Sequence, residues 1–89
     1  MTFFAGTTNI EITLDTGTDL TTVDEAQVRI VSPNRSVTDL TSEILTPASS
    51  GLIKSTFNPA LVTGRYELRA ILKYSTRYVT SGKATMIVE

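Results

Sequence analysis

Side-chain catalysis needs a nucleophile, a proton carrier or a bound metal, and this 89-residue chain contains neither histidine nor cysteine. Imidazole base catalysis, thiolate attack and the usual soft-donor metal sites are therefore excluded. A serine, threonine or lysine nucleophile would have to be activated by lysine or a carboxylate. The nearest approach is Ser81-Gly82-Lys83, and strand geometry, which sends adjacent residues to opposite faces, works against such a dyad. Asp24 and Glu25 could do acid–base work only in a cleft, and they read as loop charges. Asp15 and Asp19 resemble a fragment of a calcium loop, but the Asp-x-Asp-x-Asp-Gly order and the distant bidentate glutamate are missing. The glycines are dispersed, so no phosphate cradle forms. The expectation is a non-enzymatic chain with no catalytic residue, no cofactor and no metal.

What remains is recognition by surfaces. Eight basic residues against nine acidic ones give a net charge of -1, which provides no overall field for nucleic acid or an anionic membrane. Arg65, Arg69 and Lys73, with Ile71 among them and Arg29 as a candidate fourth cation, would form a basic stripe on one exposed face, partly neutralised by Glu67. Such a stripe is either an ordinary solvated face or a contact for an acidic protein surface. DNA is the poorer fit, because no base-stacking aromatics interleave with it. Phe3 and Phe4 likewise admit two readings, a plug folded over the core or an apolar arm offered to a partner. The candidate interface is Phe3, Phe4, Arg65, Arg69, Ile71 and Lys73. No small-molecule substrate is expected.

The elements that must carry these residues are strands. In the stretch 64–74, Tyr66, Leu68, Ala70, Leu72 and Tyr74 occupy alternate positions, while Arg65, Glu67, Arg69 and Lys73 fill most of the others. This is the period of a strand with one buried face. Ser75-Thr76 separates it from a second run over 77–88, where Ala84, Met86 and Val88 alternate with polar neighbours, which predicts a C-terminal hairpin. Upstream, Ile10, Ile12 and Leu14 face inward in a strand over 7–14, and Ala26, Val28 and Ile30 do so over 26–31. Residues 20–24 read as a short edge strand or a turn, 36–40 as a strand, and 41–45 as its extension or a helical turn. Residues 52–57 place Ile53, Ser55 and Phe57 on one face. Asp15 to Asp19, Ser32-Pro33-Asn34-Arg35, the loop 46–51 and Asn58-Pro59 are turns by composition. Asn34-Arg35-Ser36 also matches a glycosylation sequon, for which the turn is a sufficient explanation.

About seven short strands and no periodic helix predict an all-β, immunoglobulin-like antiparallel sandwich. The length suits one domain over residues 1–89, with 1–6 as a candidate N-terminal arm. No apolar run reaches the length of a signal peptide or a bilayer span, so synthesis in the cytoplasm is expected.

The order Leu14-Asp15-Thr16-Gly17-Thr18-Asp19-Leu20-Thr21, Ala26-Gln27-Val28-Arg29-Ile30, Pro33-Asn34 and Gly64-Arg65-Tyr66-Glu67-Leu68 resembles the small immunoglobulin-like domains of tailed-bacteriophage structural proteins. Among these it is similar to the N-terminal domains of baseplate upper proteins and to small virion proteins. The resemblance implies a structural subunit of a virion, as capsid decoration, connector or tail component. It would be oligomeric, located in the virion and partnered by other virion proteins. It also implies a tyrosine corner, in which Tyr66 bonds nearby backbone. The alternative is a carbohydrate- or receptor-binding module using loops 15–19 and 46–51, which lack aromatics.

Overall fold

The alternation at 64–74 becomes strand β6 (Gly64–Lys73), with Tyr66, Leu68, Ala70 and Leu72 buried and Arg65 and Arg69 exposed. The computed structural model describes residues 2–89 and the side chains of residues 3–89, so Met1 of the candidate arm lies outside the described residues. β6 runs antiparallel to β3 (Glu25–Val31) on one side and to β7 (Tyr78–Val88) on the other. β1 (Thr2–Phe3) pairs in parallel with the end of β7, Phe3 lying opposite Val88. On the far side of β3 lies β4 (Val37–Ile44), which pairs with β3 as far as Ser42 and then passes Glu43 and Ile44 to β5 (Leu52–Phe57). β5 in turn pairs with β2 (Ile10–Asp15). The order β1-β7-β6-β3-β4-β5-β2 thus folds into a large sheet and a small sheet, joined by the strand that belongs to both.

The inner faces hold the core. Ile12, Leu14, Ile53 and Phe57 of the small sheet pack towards Val28, Ile30, Leu68, Leu72, Met86 and Val88 of the large one. Each such side chain stabilises the fold by about 1.5–3 kcal/mol on full burial. The fold is the seven-stranded, immunoglobulin-like sandwich expected, its one parallel pair being β1 with β7. Tyr66 makes the anticipated corner: its hydroxyl accepts the Val62 N–H at 3.0 Å, four residues upstream, and its ring meets Phe57 edge-on at 6.2 Å.

The local differences from expectation have local causes. Residues 20–24 are a turn, because Leu20 and Val23 are buried plugs joined by Val23 N–H to Leu20 O at 3.1 Å. Residues 36–45 hold one continuous strand, which has no fully buried position because it changes sheet midway. In the β3–β4 turn the left-handed residue is Arg35 (φ 68°), while Asn34 uses its side chain to accept the Ser36 N–H at 3.1 Å. The hairpin turn takes in Tyr74 to Arg77, closed by Tyr74 N–H to Arg77 O at 2.8 Å. β7 carries a bulge: Arg69 pairs with Lys83 but Ala70 with Ser81, so Gly82 is the extra residue. Gly82 sits at φ 66°, and a Cβ there would lie 2.8 Å from the Asp15 carbonyl oxygen. At this point the large sheet closes against the end of β2.

Candidate functional site

The large sheet turns a charged and polar face outward. β6 contributes Arg65, Glu67, Arg69, Ile71 and Lys73; β3 contributes Glu25, Gln27, Arg29 and Val31; β7 contributes Tyr78, Thr80, Lys83 and Ile87. Register turns these into rows across the strands. Asp39, Arg29, Arg69 and Lys83 stand opposite one another on β4, β3, β6 and β7. Next to that row run Gln27, Ile71 and Thr80, and beyond them Glu25, Lys73 and Tyr78.

The charges in the first row are unequally matched. Arg29 donates from Nε to Asp39 Oδ1 at 2.9 Å and from Nη2 to Oδ2 at 3.2 Å, a bidentate pair. The hydrogen bond from Arg29 holds the Asp39 carboxyl below its usual range, and the same bond raises the guanidinium further. Lys73 approaches Glu25 at 3.7 Å. Among the described residues Arg69 and Lys83 join no ion pair, although they face each other directly and Arg69 also faces Arg29. Like charges directly opposite across strands are destabilising. Shallow hollows flank these cations. One of 290 Å³ lies between Arg69, Thr80 and Lys83, and one of 400 Å³ between Gln27, Arg29, Ile71 and Tyr78.

Apolar surface accompanies the charge. Tyr78 is 69% exposed, Val37 58% and Ile87 42%, all pointing outward from this sheet. Arginine and tyrosine are among the residue types enriched at interface hot spots. The outer face of the small sheet is different. It carries Glu11, Thr13, Asp15, Leu52, Lys54 and Thr56, with Glu43 beside them. Lys54 stands 3.9 Å from Glu11 and 3.8 Å from Glu43.

The residues singled out from sequence are therefore divided. Arg65, Arg69, Ile71 and Lys73 share the large-sheet face, with Arg29. The two phenylalanines part company: Phe3 pairs in β1 and packs against the core, whereas Phe4 is 70% exposed. The backbone around them is tied down by Glu89 N–H to Phe3 O at 2.8 Å, Ala5 N–H to Glu89 O at 2.7 Å and Gly6 N–H to Leu61 O at 2.8 Å. Lys83 and Tyr78 belong to the face but were not singled out. The Arg69–Lys83 juxtaposition depends on the Gly82 bulge, for which the sequence offers only a glycine. That bulge also separates Ser81 from Lys83. Ser81 donates to the Thr16 carbonyl oxygen at 2.6 Å on the inner side while Lys83 points outward. In a regular strand residues two apart share a face, so the bulge, and not plain alternation, keeps the two apart.

The remaining candidates serve the loops. Asp15 Oδ1 accepts the Gly17 N–H at 2.9 Å, and Asp19 Oδ1 accepts the Thr21 N–H at 2.9 Å together with the Thr21 hydroxyl. Those bonds from Thr21 lower the Asp19 pKa. Among the described residues no group of three or more carboxylates converges as a cation site. Loops 15–19 and 46–51 bond to each other, Thr16 sending its N–H and its Oγ1 to the Gly51 carbonyl, both at 2.8 Å.

No family model and no curated protein matches the chain. Among solved structures it is similar to CopC from Methylosinus trichosporium OB3b, with 15% identity and a TM-score of 0.62, over 99% of this chain and 81% of that one. At that identity the likeness establishes the shared fold. It also corrects the virion reading: the sandwich found to match is CopC and not a phage structural protein, so the virion function and virion location are not carried further.

Proposed function

We propose that this chain is a non-enzymatic recognition module that binds an acidic protein surface through the outer face of its large sheet. The observation that carries the reading is the Arg29–Arg69–Lys83 row, in which one cation of three has a carboxylate partner. Placing Arg69 opposite Lys83 costs the isolated fold stability, and among the described residues no ion pair offsets it. A partner carboxylate would supply what is missing, with Ile71 and Tyr78 providing adjacent apolar contact.

Copper handling, to which the CopC likeness points, is tested by donor chemistry. Copper sites draw on imidazole, thiolate and thioether ligands. This chain has no histidine or cysteine, and of its two methionines Met86, the one among the described residues, is wholly buried in the core. The residues present do not fit such a site, and no step is assigned to the metal.

The reading is tested by titrating the isotopically labelled chain with a glutamate-rich peptide at low salt and following backbone amide shifts. Shifts gathered on Arg29, Arg69, Ile71, Thr80 and Lys83 are expected, fading as salt is raised. Shifts confined to loops 15–19 and 46–51, or none anywhere, would overturn it.

A further inference from the structure

Resting on that reading, we infer that the acidic surface bound by the large-sheet face is the small-sheet face of a second copy of this chain, so that copies associate head to tail. The chain is nearly neutral as a whole, at -1, but its charge is segregated. The large-sheet face holds Arg29, Arg65, Arg69, Lys73 and Lys83 against Glu25, Asp39 and Glu67. The small-sheet face holds Glu11, Asp15 and Glu43 against Lys54 alone. The two faces therefore carry opposite excesses of equal size.

Their surfaces also correspond in kind. Asp15 pairs across the small sheet with half-buried Leu52, which sets a carboxylate beside an aliphatic group. On the large sheet Arg69 stands two residues from half-buried Ile71, a cation beside an aliphatic group. The molecule measures 37 × 23 × 18 Å, and its broad faces have the scale from which a standard interface takes about 800 Å² per partner. Large face on large face would bring Arg69 and Lys83 against their own copies, so the like-with-like arrangement is disfavoured. A contact between two different faces that does not close into a ring adds copies without a fixed limit.

The test is sedimentation of the intact chain over a range of concentrations. At an ionic strength of about 10 mM, where charges act over about 30 Å, the weight-average mass is expected to climb without a plateau at the dimer. At about 1 M, where that range is about 3 Å, it should return to the monomer. Arg69→Glu with Lys83→Glu makes both faces acidic, and Glu11→Lys with Glu43→Lys makes both basic, so each double variant alone should remain monomeric. Mixing the two should restore association. A chain that stays monomeric at low salt, or association that survives either reversal, overturns the inference. If the glutamate-rich peptide still shifts the large-sheet amides of a strictly monomeric chain, the recognition reading stands and the second copy is the wrong partner. If neither is seen, both fall.

Discussion

The two outer faces of this sandwich are built from the same strand geometry and solve their charge problem in opposite ways. On the small sheet Lys54 lies between Glu11 and Glu43, a cation flanked by two anions, and the rest is Thr13, Asp15, Leu52 and Thr56. On the large sheet Arg69 lies between Arg29 and Lys83, a cation flanked by two cations, among exposed Tyr78, Val37 and Ile87. The first arrangement shares its one cation between two carboxylates and leaves the face with an acidic excess. The second leaves Arg69 and Lys83 without an ion-pair partner among the described residues, and on the proposed reading that difference marks the face that binds an acidic surface.

The comparison should vanish on the inner faces. Ile53 on the small sheet and Leu72 on the large are both wholly buried, and truncating either to alanine should cost about 2–5 kcal/mol through lost transfer energy and the cavity left behind. Urea unfolding of Ile53→Ala and Leu72→Ala checks this. If one were nearly neutral, the sheets would differ in the core as well, and the contrast would not be confined to the surface.

A smaller effect is expected where the sheets close on each other. In Gly82→Ala the new Cβ would meet Asp15 O at 2.8 Å and Thr16 Cα at 2.9 Å, with φ held at +66°. Backbone atoms cannot swing aside as a side chain can, so a loss of about 1–3 kcal/mol is expected. Because the bulge also sets Lys83 opposite Arg69, amide shifts in this variant should spread along β7 and into Arg69. Shifts limited to residues 15–18 would separate the seam from the face.

How far the sequence reaches follows from the same geometry. β6 was legible because its alternation is unbroken and one face is buried over its whole length. The C-terminal half of β7 was legible for the same reason through Ala84, Met86 and Val88, but its first half was not, because the bulge shifts the phase by one residue. β1 left no local signal, since its two paired residues are fixed by the far end of the chain. β4 hid its continuity by changing sheet. The basic stripe of Arg65, Arg69 and Lys73 was readable within one strand, whereas its completion by Lys83 and Tyr78 is a matter of register, which composition does not encode. The phage resemblance rested on turn and strand motifs that many sandwiches share, and so fixed the fold correctly and the function wrongly.

The outer faces themselves should respond with opposite signs. Arg69→Thr removes a like-charge contact and introduces a β-branched residue, so a gain of a few tenths of a kcal/mol is expected. Lys54→Thr removes a cation from between two glutamates and should lose a similar amount, within the range below about 1 kcal/mol typical of surface pairs. Thermal melts at low and high salt distinguish the cases, because both differences should shrink as salt is added. Two changes of the same sign would mean that the large-sheet cations are already compensated within the fold.

Acid titration supplies the finest comparison. Asp39 is the one carboxylate on the large-sheet face held by a bidentate bond, from Arg29, and its pKa is lowered by that bond first and by the guanidinium charge as well. A carboxyl with a folded pKa below its unfolded value, about 3.9, contributes stability that is fully present above that value. The contribution is lost as pH falls through the lower folded pKa. The loss should therefore appear below about pH 4, and it should be small, because the Asp39 side chain is 39% exposed and screened by solvent. Asp39→Asn should show a shallower fall of stability below about pH 4 than the parent chain, measured by urea midpoint at matched salt. It should also leave Arg29 without its partner, adding a third unmatched cation to the row, so the same variant should bind the glutamate-rich peptide more tightly at neutral pH. A steeper acid limb, or weaker peptide binding, would mean that Asp39 belongs to the recognition surface and is more than the local counter-charge of Arg29.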